Sequence, residues 1–146
     1  MVRSSLDGLY QDKVILDHCR NPRNSDELKC PDLKADAVNP FCGDEIHFQF
    51  LIDSHDLVRS VGVQGEGCAI NRASGSLFSE ALIGKTIDEV RDFSRVFSRI
   101  MESHDSYESE YVRQFGAISV LFRVREFPVR IKCALLASSA LITNLR

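Results

Sequence analysis

The apolar period of this chain changes from two to nearly four at Gly65-Glu66-Gly67, and that change limits the folds open to it. Before it, Ile46, Phe48, Phe50 and Ile52 alternate with Glu45, His47, Gln49 and Asp53. Alternation at period two is a strand with one buried face and one polar face. Asp53-Ser54-His55-Asp56 reads as a turn, and residues 57–64 return as a second strand, which predicts an antiparallel hairpin. After the glycines, Ile70, Ala73, Leu77 and Ala81 share one face of a helix opening at Cys68. Gly84 is a stop in the left-handed conformation. Thr86 with Glu89 is a capping box for the next helix, striped by Ile87, Val90, Phe93, Phe97 and Ile100.

Leu6, Leu9, Tyr10, Val14, Ile15 and Leu16 predict one opening helix of about three turns. Asn21-Pro22 stops it, because the residue before proline avoids helical angles. Residues 25–39 have no clear period and read as loop, with a short strand near Ala37-Val38. Ser103-His104-Asp105-Ser106 ends the capped helix, and Tyr107, Tyr111, Phe115 and Ile118 suggest another, with Gly116 as its weak point. Residues 124–132 read as a connector, since Pro128 forbids a continuous helix. Residues 133–144 are almost wholly apolar and predict a buried closing helix. The expected fold class is α+β, a small antiparallel β-sheet with helices packed on one face, in a single domain spanning residues 1–146.

Charge and composition narrow the function classes. A formal net charge of −3 argues against a nucleic-acid binder, which needs a basic face. No apolar run approaches the roughly 18 residues of a membrane span, and the first residues carry no apolar signal core, so a cytoplasmic protein is expected. The five cysteines are an odd number, which points to reduced thiols rather than a disulfide framework. Cys19, in an amphipathic helix, reads as a small buried hydrophobe, and Cys30 has no assigned role.

The other three cysteines carry the chemistry. Asn39-Pro40-Phe41-Cys42-Gly43-Asp44 puts a thiol and a carboxylate two positions apart around a glycine that allows a tight turn. A soft sulfur and a hard oxygen facing one centre suit a borderline metal such as zinc. Cys68 and Cys133 each read as opening a helix, where the positive end of the dipole eases thiol ionisation. Cys42, Asp44, Cys68 and Cys133 are therefore expected to meet. The spacing is no zinc-finger pattern, because paired CxxC units are absent. Three thiolates, one carboxylate and Zn²⁺ leave a net negative charge, which Arg130 and Lys132 beside Cys133 could offset.

Three blocks then carry a resemblance. Asn39-Pro-Phe-Cys-Gly-Asp44, residues 65–76 (Gly-Glu-Gly-Cys-Ala-Ile-Asn-Arg-Ala-Ser-Gly-Ser) and residues 129–136 (Val-Arg-Ile-Lys-Cys-Ala-Leu-Leu) resemble the signature blocks of the iron–sulfur cluster scaffold family of the IscU/NifU N-terminal type. The opening residues 9–24 resemble that family's first helix. The longer segment around residues 107–122, and Lys132 where IscU-type proteins carry histidine, are similar to the SufU branch. The resemblance implies a zinc-dependent acceptor of persulfide sulfur from a cysteine desulfurase of the SufS-like kind. It implies Cys42, Asp44, Cys68 and Cys133 as metal ligands, Cys42 as the sulfur-accepting residue, and Arg130 with Lys132 close behind the site. Downstream partners would be an iron–sulfur scaffold or apo-proteins, with no nucleic acid and no membrane.

Three alternatives stand beside that reading. One is a scaffold carrying a transient [2Fe–2S] cluster, which an aspartate ligand would hold weakly. Another is a structural-zinc module that only binds partners. The last is a thiol hydrolase with His47 as base, for which a place on the hairpin's polar face speaks against.

Overall fold

In a computed structural model, residues 6–103, 105–106 and 109–145 are described, residues 6 and 7 by their backbone alone. Three antiparallel strands form one sheet in the order β1-β2-β3: β1 Leu33–Asn39, β2 Asp44–Ile52 and β3 Val58–Glu66. The helices are α1 Leu6–Tyr10, α2 Lys13–Arg20, α3 Ala69–Leu82, α4 Ile87–Glu102, α5 Ser109–Phe115 and α6 Pro128–Thr143, with a 3-10 stretch over Gly116–Glu126. The α+β architecture with helices on one face of the sheet is the expected one. Among the described residues no helix is long and apolar enough to cross a membrane.

The strand absent from the sequence reading, apart from a hint near Ala37-Val38, is β1. It pairs with β2 from Leu33↔Phe50 through Asn39↔Asp44. Its inward residue Ala35 is 1 % exposed, while Lys34, Asp36 and Val38 face solvent. The alternation is real, but alanines bury too little apolar area to mark it in a sequence. Residues 40–43 are not a free turn but the tip of the β1–β2 hairpin, closed by Gly43 N donating to Asn39 O at 2.8 Å. Gly43 sits at φ +75°, the left-handed conformation such a tip needs.

The predicted opening helix is broken in two. Asp12 caps α2 instead of continuing α1, accepting from Val14 N at 2.9 Å and Ile15 N at 3.2 Å. Aspartate competes better at a cap than inside a helix, and here that local preference prevails. Arg123 Nη1 then donates to Asp12 Oδ2 at 2.9 Å and ties the 3-10 stretch to this corner.

α3 is more central than its apolar stripe suggests. Residues 70, 71, 73–79 and 82 are all buried, five of them serine, asparagine or glycine. Small residues let the helix lie close to the sheet. A methyl group on Gly75 would meet Ile46 Cδ1 at 3.0 Å and Val63 Cγ2 at 3.1 Å. On its other side α3 holds α2. Ser76 Oγ accepts from Arg23 N at 2.8 Å and shares a hydrogen bond with His18 Nδ1 at 2.7 Å. The other ring nitrogen of His18, Nε2, faces Glu80 Oε1 at 3.6 Å.

Burial, with the nearby Arg23 charge, holds His18 below the ordinary histidine range, against the pull of Glu80 and Asp17. A depressed histidine contributes stability above its unfolded value of about 6.5 and loses it as pH falls through that value toward the folded one. Urea unfolding of the metal-free protein is therefore expected to weaken from pH 7 to pH 5. His18→Gln should flatten that fall, and an unchanged slope in the variant would remove His18 as its source.

α4 opens on the predicted capping box, with Glu89 N donating to Thr86 Oγ1 at 3.1 Å and Thr86 N to Glu89 Oε1 at 3.0 Å. Gly84 stands at φ +87° as the expected stop of α3. Five aromatic rings then fill the space between α3, α4 and the long segment before α6. Phe97 is fully buried, edge-on to Phe78 at 5.0 Å between ring centroids, with Phe115 at 6.1 Å and Phe122 at 6.2 Å. The predicted helix over residues 107–118 survives as α5 from Ser109 to Phe115; Tyr107 lies outside the described residues. Gly116, at φ +55°, marks where it gives way.

Pro128 does not break a connector here. It occupies the first turn of α6, where its missing N–H would be unpartnered anyway. Cys133 therefore lies inside α6, not at its start.

Candidate metal centre

Four segments converge beneath the β1–β2 hairpin tip: the tip itself, the start of β2, the β3–α3 junction and the buried side of α6. Cys42 is exposed on the tip, Asp44 opens β2 at 2 % exposure, and Cys133 on α6 is 3 % exposed. The ligand atoms of Cys42, Asp44 and Cys133 lie within 4.8 Å of one another. Cys68 caps α3 beside them, its Sγ 3.4 Å from Asp44 Oδ2. All four residues named from the sequence are thus drawn to one place.

Asp44 is the anchor of the cluster. Its Oδ1 accepts from Cys68 N at 3.0 Å. Gly67 packs against it at φ +107°, so closely that a methyl group there would fall 2.0 Å from Oδ1. Asn71, fully buried, donates through Nδ2 to Glu45 O at 2.8 Å and Glu66 O at 2.9 Å. That amide clamps the start of β2 to the end of β3 and fixes the floor of the site. Gly67 and Asn71 stood inside a recognised block without a role. A glycine with positive φ and a wholly buried amide are visible only once the backbone is folded.

The electrostatics correct one expectation. Both inner thiols resist ionisation when no metal is present. Burial pushes Cys133 far above the ordinary thiol range, reinforced by the adjacent Cys68 thiol and the Asp44 carboxylate. Burial also raises Cys68, although Asn71 N donates to its sulfur at 3.5 Å and pulls the other way. The helix N-terminus is real for Cys68, but desolvation outweighs it. For Cys133 the argument fails outright, because the residue is about a turn and a half into α6.

Arg130 and Lys132 lie on the first turns of α6, and each meets an aromatic ring. The Arg130 guanidinium carbon stands 5.8 Å from the centre of the Tyr10 ring. Burial works against the Arg130 charge, but Tyr10 and the Cys133 and Cys68 sulfurs outweigh it and hold the group protonated. Tyr10 was read as a core residue of the first helix. The break at Asp12 leaves it half-buried at the site, and the Asp12-Lys13 cap signal was the clue. Lys132 Nζ lies 5.8 Å from the centre of the Phe41 ring. His47 points elsewhere, paired with Asp36 Oδ1 at 2.6 Å on the outer face of the sheet.

The donor set fits zinc. A tetrahedral ion with Zn–S near 2.3 Å holds neighbouring sulfurs about 3.8 Å apart. The ligand atoms of Cys42, Asp44 and Cys133, all within 4.8 Å of one another, stand close to that spacing, and Cys42 is the one on a glycine-bearing tip.

The comparisons with known proteins decide the family. The profile of the NifU-like N terminal domain matches residues 9–143. The chain belongs to the NifU-like N-terminal domain family. Within it, the chain is similar to the zinc-dependent sulfurtransferase SufU of Bacillus subtilis strain 168, at 39 % identity over 94 % of this chain and 90 % of that one. It is also similar to the iron–sulfur cluster assembly scaffold protein IscU of Streptococcus pyogenes serotype M1, at 33 % identity over 97 % and 85 %. A crystal structure from Fervidobacterium islandicum AW-1, assigned to iron–sulfur cluster assembly in the SUF system, superposes with a TM-score of 0.81 at 27 % identity. That superposition covers 94 % of this chain and 96 % of the other.

Proposed function

We propose that this protein is a zinc-dependent sulfur acceptor in iron–sulfur cluster assembly, taking persulfide sulfur from a cysteine desulfurase onto Cys42. The observation that carries the reading is the pairing of one exposed thiol with buried donors: Cys42 on a hairpin tip, within 4.8 Å of Asp44 and Cys133. Cys42, Asp44, Cys68 and Cys133 are the proposed ligands. Bound zinc would supply the positive charge that keeps these sulfurs as thiolates.

The chain's own residues divide the work. Cys68 and Cys133 are held by helices and stay in place. Cys42 leaves on its tip and, as thiolate, attacks the outer sulfur of the desulfurase persulfide. The S–S bond of the donor breaks, a new S–S bond forms on Cys42 with the hydrogen of the outer sulfur carried along, and the donor cysteine departs as thiolate. No oxidant or reductant is consumed. The recipient of the sulfur is a downstream iron–sulfur scaffold or an apo-protein, and the setting is the cytoplasm.

The test is persulfide transfer from a candidate desulfurase, with and without zinc, alongside metal analysis of the purified protein. One tightly held zinc per chain and zinc-dependent uptake are expected. A coloured, transferable [2Fe–2S] cluster would favour the scaffold reading instead, since Asp44 is a weak fourth donor for a cluster. No uptake from any desulfurase, with a fold that collapses without metal, would leave only a structural-zinc module.

Asp44→Ala is expected to weaken zinc affinity at least about 10- to 100-fold, as measured by chelator competition. Its loss also frees the Cys68 N–H from a buried partner, at about 1–3 kcal/mol. Unchanged zinc affinity would remove Asp44 from the ligand set.

A further inference from the structure

We propose that Lys132 is a positioning residue for the Cys42 hairpin, acting through the Phe41 ring rather than through its charge at the thiol. Its consequence for sulfur uptake rests on Cys42 being the acceptor; the geometry does not. Phe41 is the residue next to Cys42 and is 91 % exposed. A phenyl ring at a hairpin tip gains nothing from the core in that position. What it meets is Lys132 Nζ, 5.8 Å from its centre, within the roughly 6 Å reach of a cation–ring contact.

The surroundings make that contact matter. An open groove of about 410 Å³, lined by Val38, Pro40, Phe41, Lys132 and Leu135 among others, separates the tip from α6. Apolar packing therefore does not fill the space below the ring. Hydrogen bonds at the tip run within it, from Phe41 N to Asn39 Oδ1 at 3.1 Å and from Gly43 N to Asn39 O at 2.8 Å. They keep the tip together as a unit, and among the described residues none of them runs to the helix. Gly43 at φ +75° supplies the pivot. The cation sits on a packed helix and the ring on the movable tip, so the contact spans the groove and draws Cys42 toward Cys133. A partner surface that takes up Phe41 would release it.

The readout is the alkylation rate of Cys42 by iodoacetamide in the full-length, metal-free protein, resolved by peptide mass spectrometry. Lys132→Met keeps the apolar stem and removes the cation. It is expected to speed alkylation about two- to five-fold, the size of one exposed cation–ring contact. Lys132→Arg should stay near the parent rate. In a Phe41→Leu background, already fast, Lys132→Met should change nothing further. A simple field effect predicts the opposite sign: losing a cation near the thiolate slows the reaction, in the Phe41→Leu background as well. Slower or unchanged alkylation in Lys132→Met, or an equal change in both backgrounds, overturns the proposal. The assay needs no desulfurase, so its failure and failure of the acceptor reading are separate results.

Discussion

Cys42→Ala is expected to abolish sulfur uptake from a cysteine desulfurase while leaving the metal-free fold as stable as the parent. The two halves of that expectation come from one fact, that Cys42 is exposed on a hairpin tip. An exposed side chain away from caps and core changes stability by no more than about 0.5 kcal/mol. The same exposure makes it the proposed thiol that can reach a persulfide held by another protein. Cys133, at 3 % exposure inside α6, and Cys68, half-buried at the start of α3, cannot be offered to a partner without unpacking those helices. Uptake is followed by mass spectrometry of the persulfide, and stability by urea unfolding. If the alanine variant still accepts sulfur at the normal rate, the acceptor is a different residue.

Gly67→Ala is expected to be the most damaging single-methyl change near the site. At φ +107° the backbone occupies a region that disfavours any side chain, at about 1–3 kcal/mol. The new methyl would also stand 2.0 Å from Asp44 Oδ1 and 3.0 Å from Asp44 Cα, so the carboxylate must move. Moving it breaks the bond from Cys68 N, another 1–3 kcal/mol or so for a buried pair. The expected loss is thus about 2–6 kcal/mol, a large share of the roughly 5–15 kcal/mol that holds a typical domain. Zinc affinity should fall with it, because Asp44 is displaced. Gly43→Ala is the informative contrast. Its φ is also positive, but a methyl there meets nothing within 4 Å, so only the backbone strain remains. Equal losses for the two variants in urea unfolding would refute the steric part of the argument.

Several parts of the molecule were legible in advance because their signals are local. The alternation of Ile46, Phe48 and Phe50 fixed which face of β2 is buried, and all three are fully buried. Thr86 and Glu89 announced a cap that is present on both sides. The three signature blocks named the residues that now lie together. Local signals also misled where two of them competed. Asp12 was absorbed into an apolar stripe, yet it caps a new helix and frees Tyr10 to reach Arg130. Pro128 reads locally as an interruption, although proline in a first turn is as good a start as it is a poor interior residue.

By itself the sequence determined the β2–β3 hairpin, α3 and the capped helix α4, and it brought Cys42, Asp44, Cys68 and Cys133 forward as candidates, because period, caps and glycine placement act over a few residues. Only the tertiary structure decided three things. It made residues 40–43 the tip of a hairpin, through the pairing of a weakly apolar β1 with β2. It set the inner thiols above the ordinary range, because desolvation depends on everything packed around a group rather than on its neighbours in the chain. It put the Lys132 cation on the Phe41 ring, a contact between residues 91 positions apart (132 − 41 = 91) that no local pattern encodes.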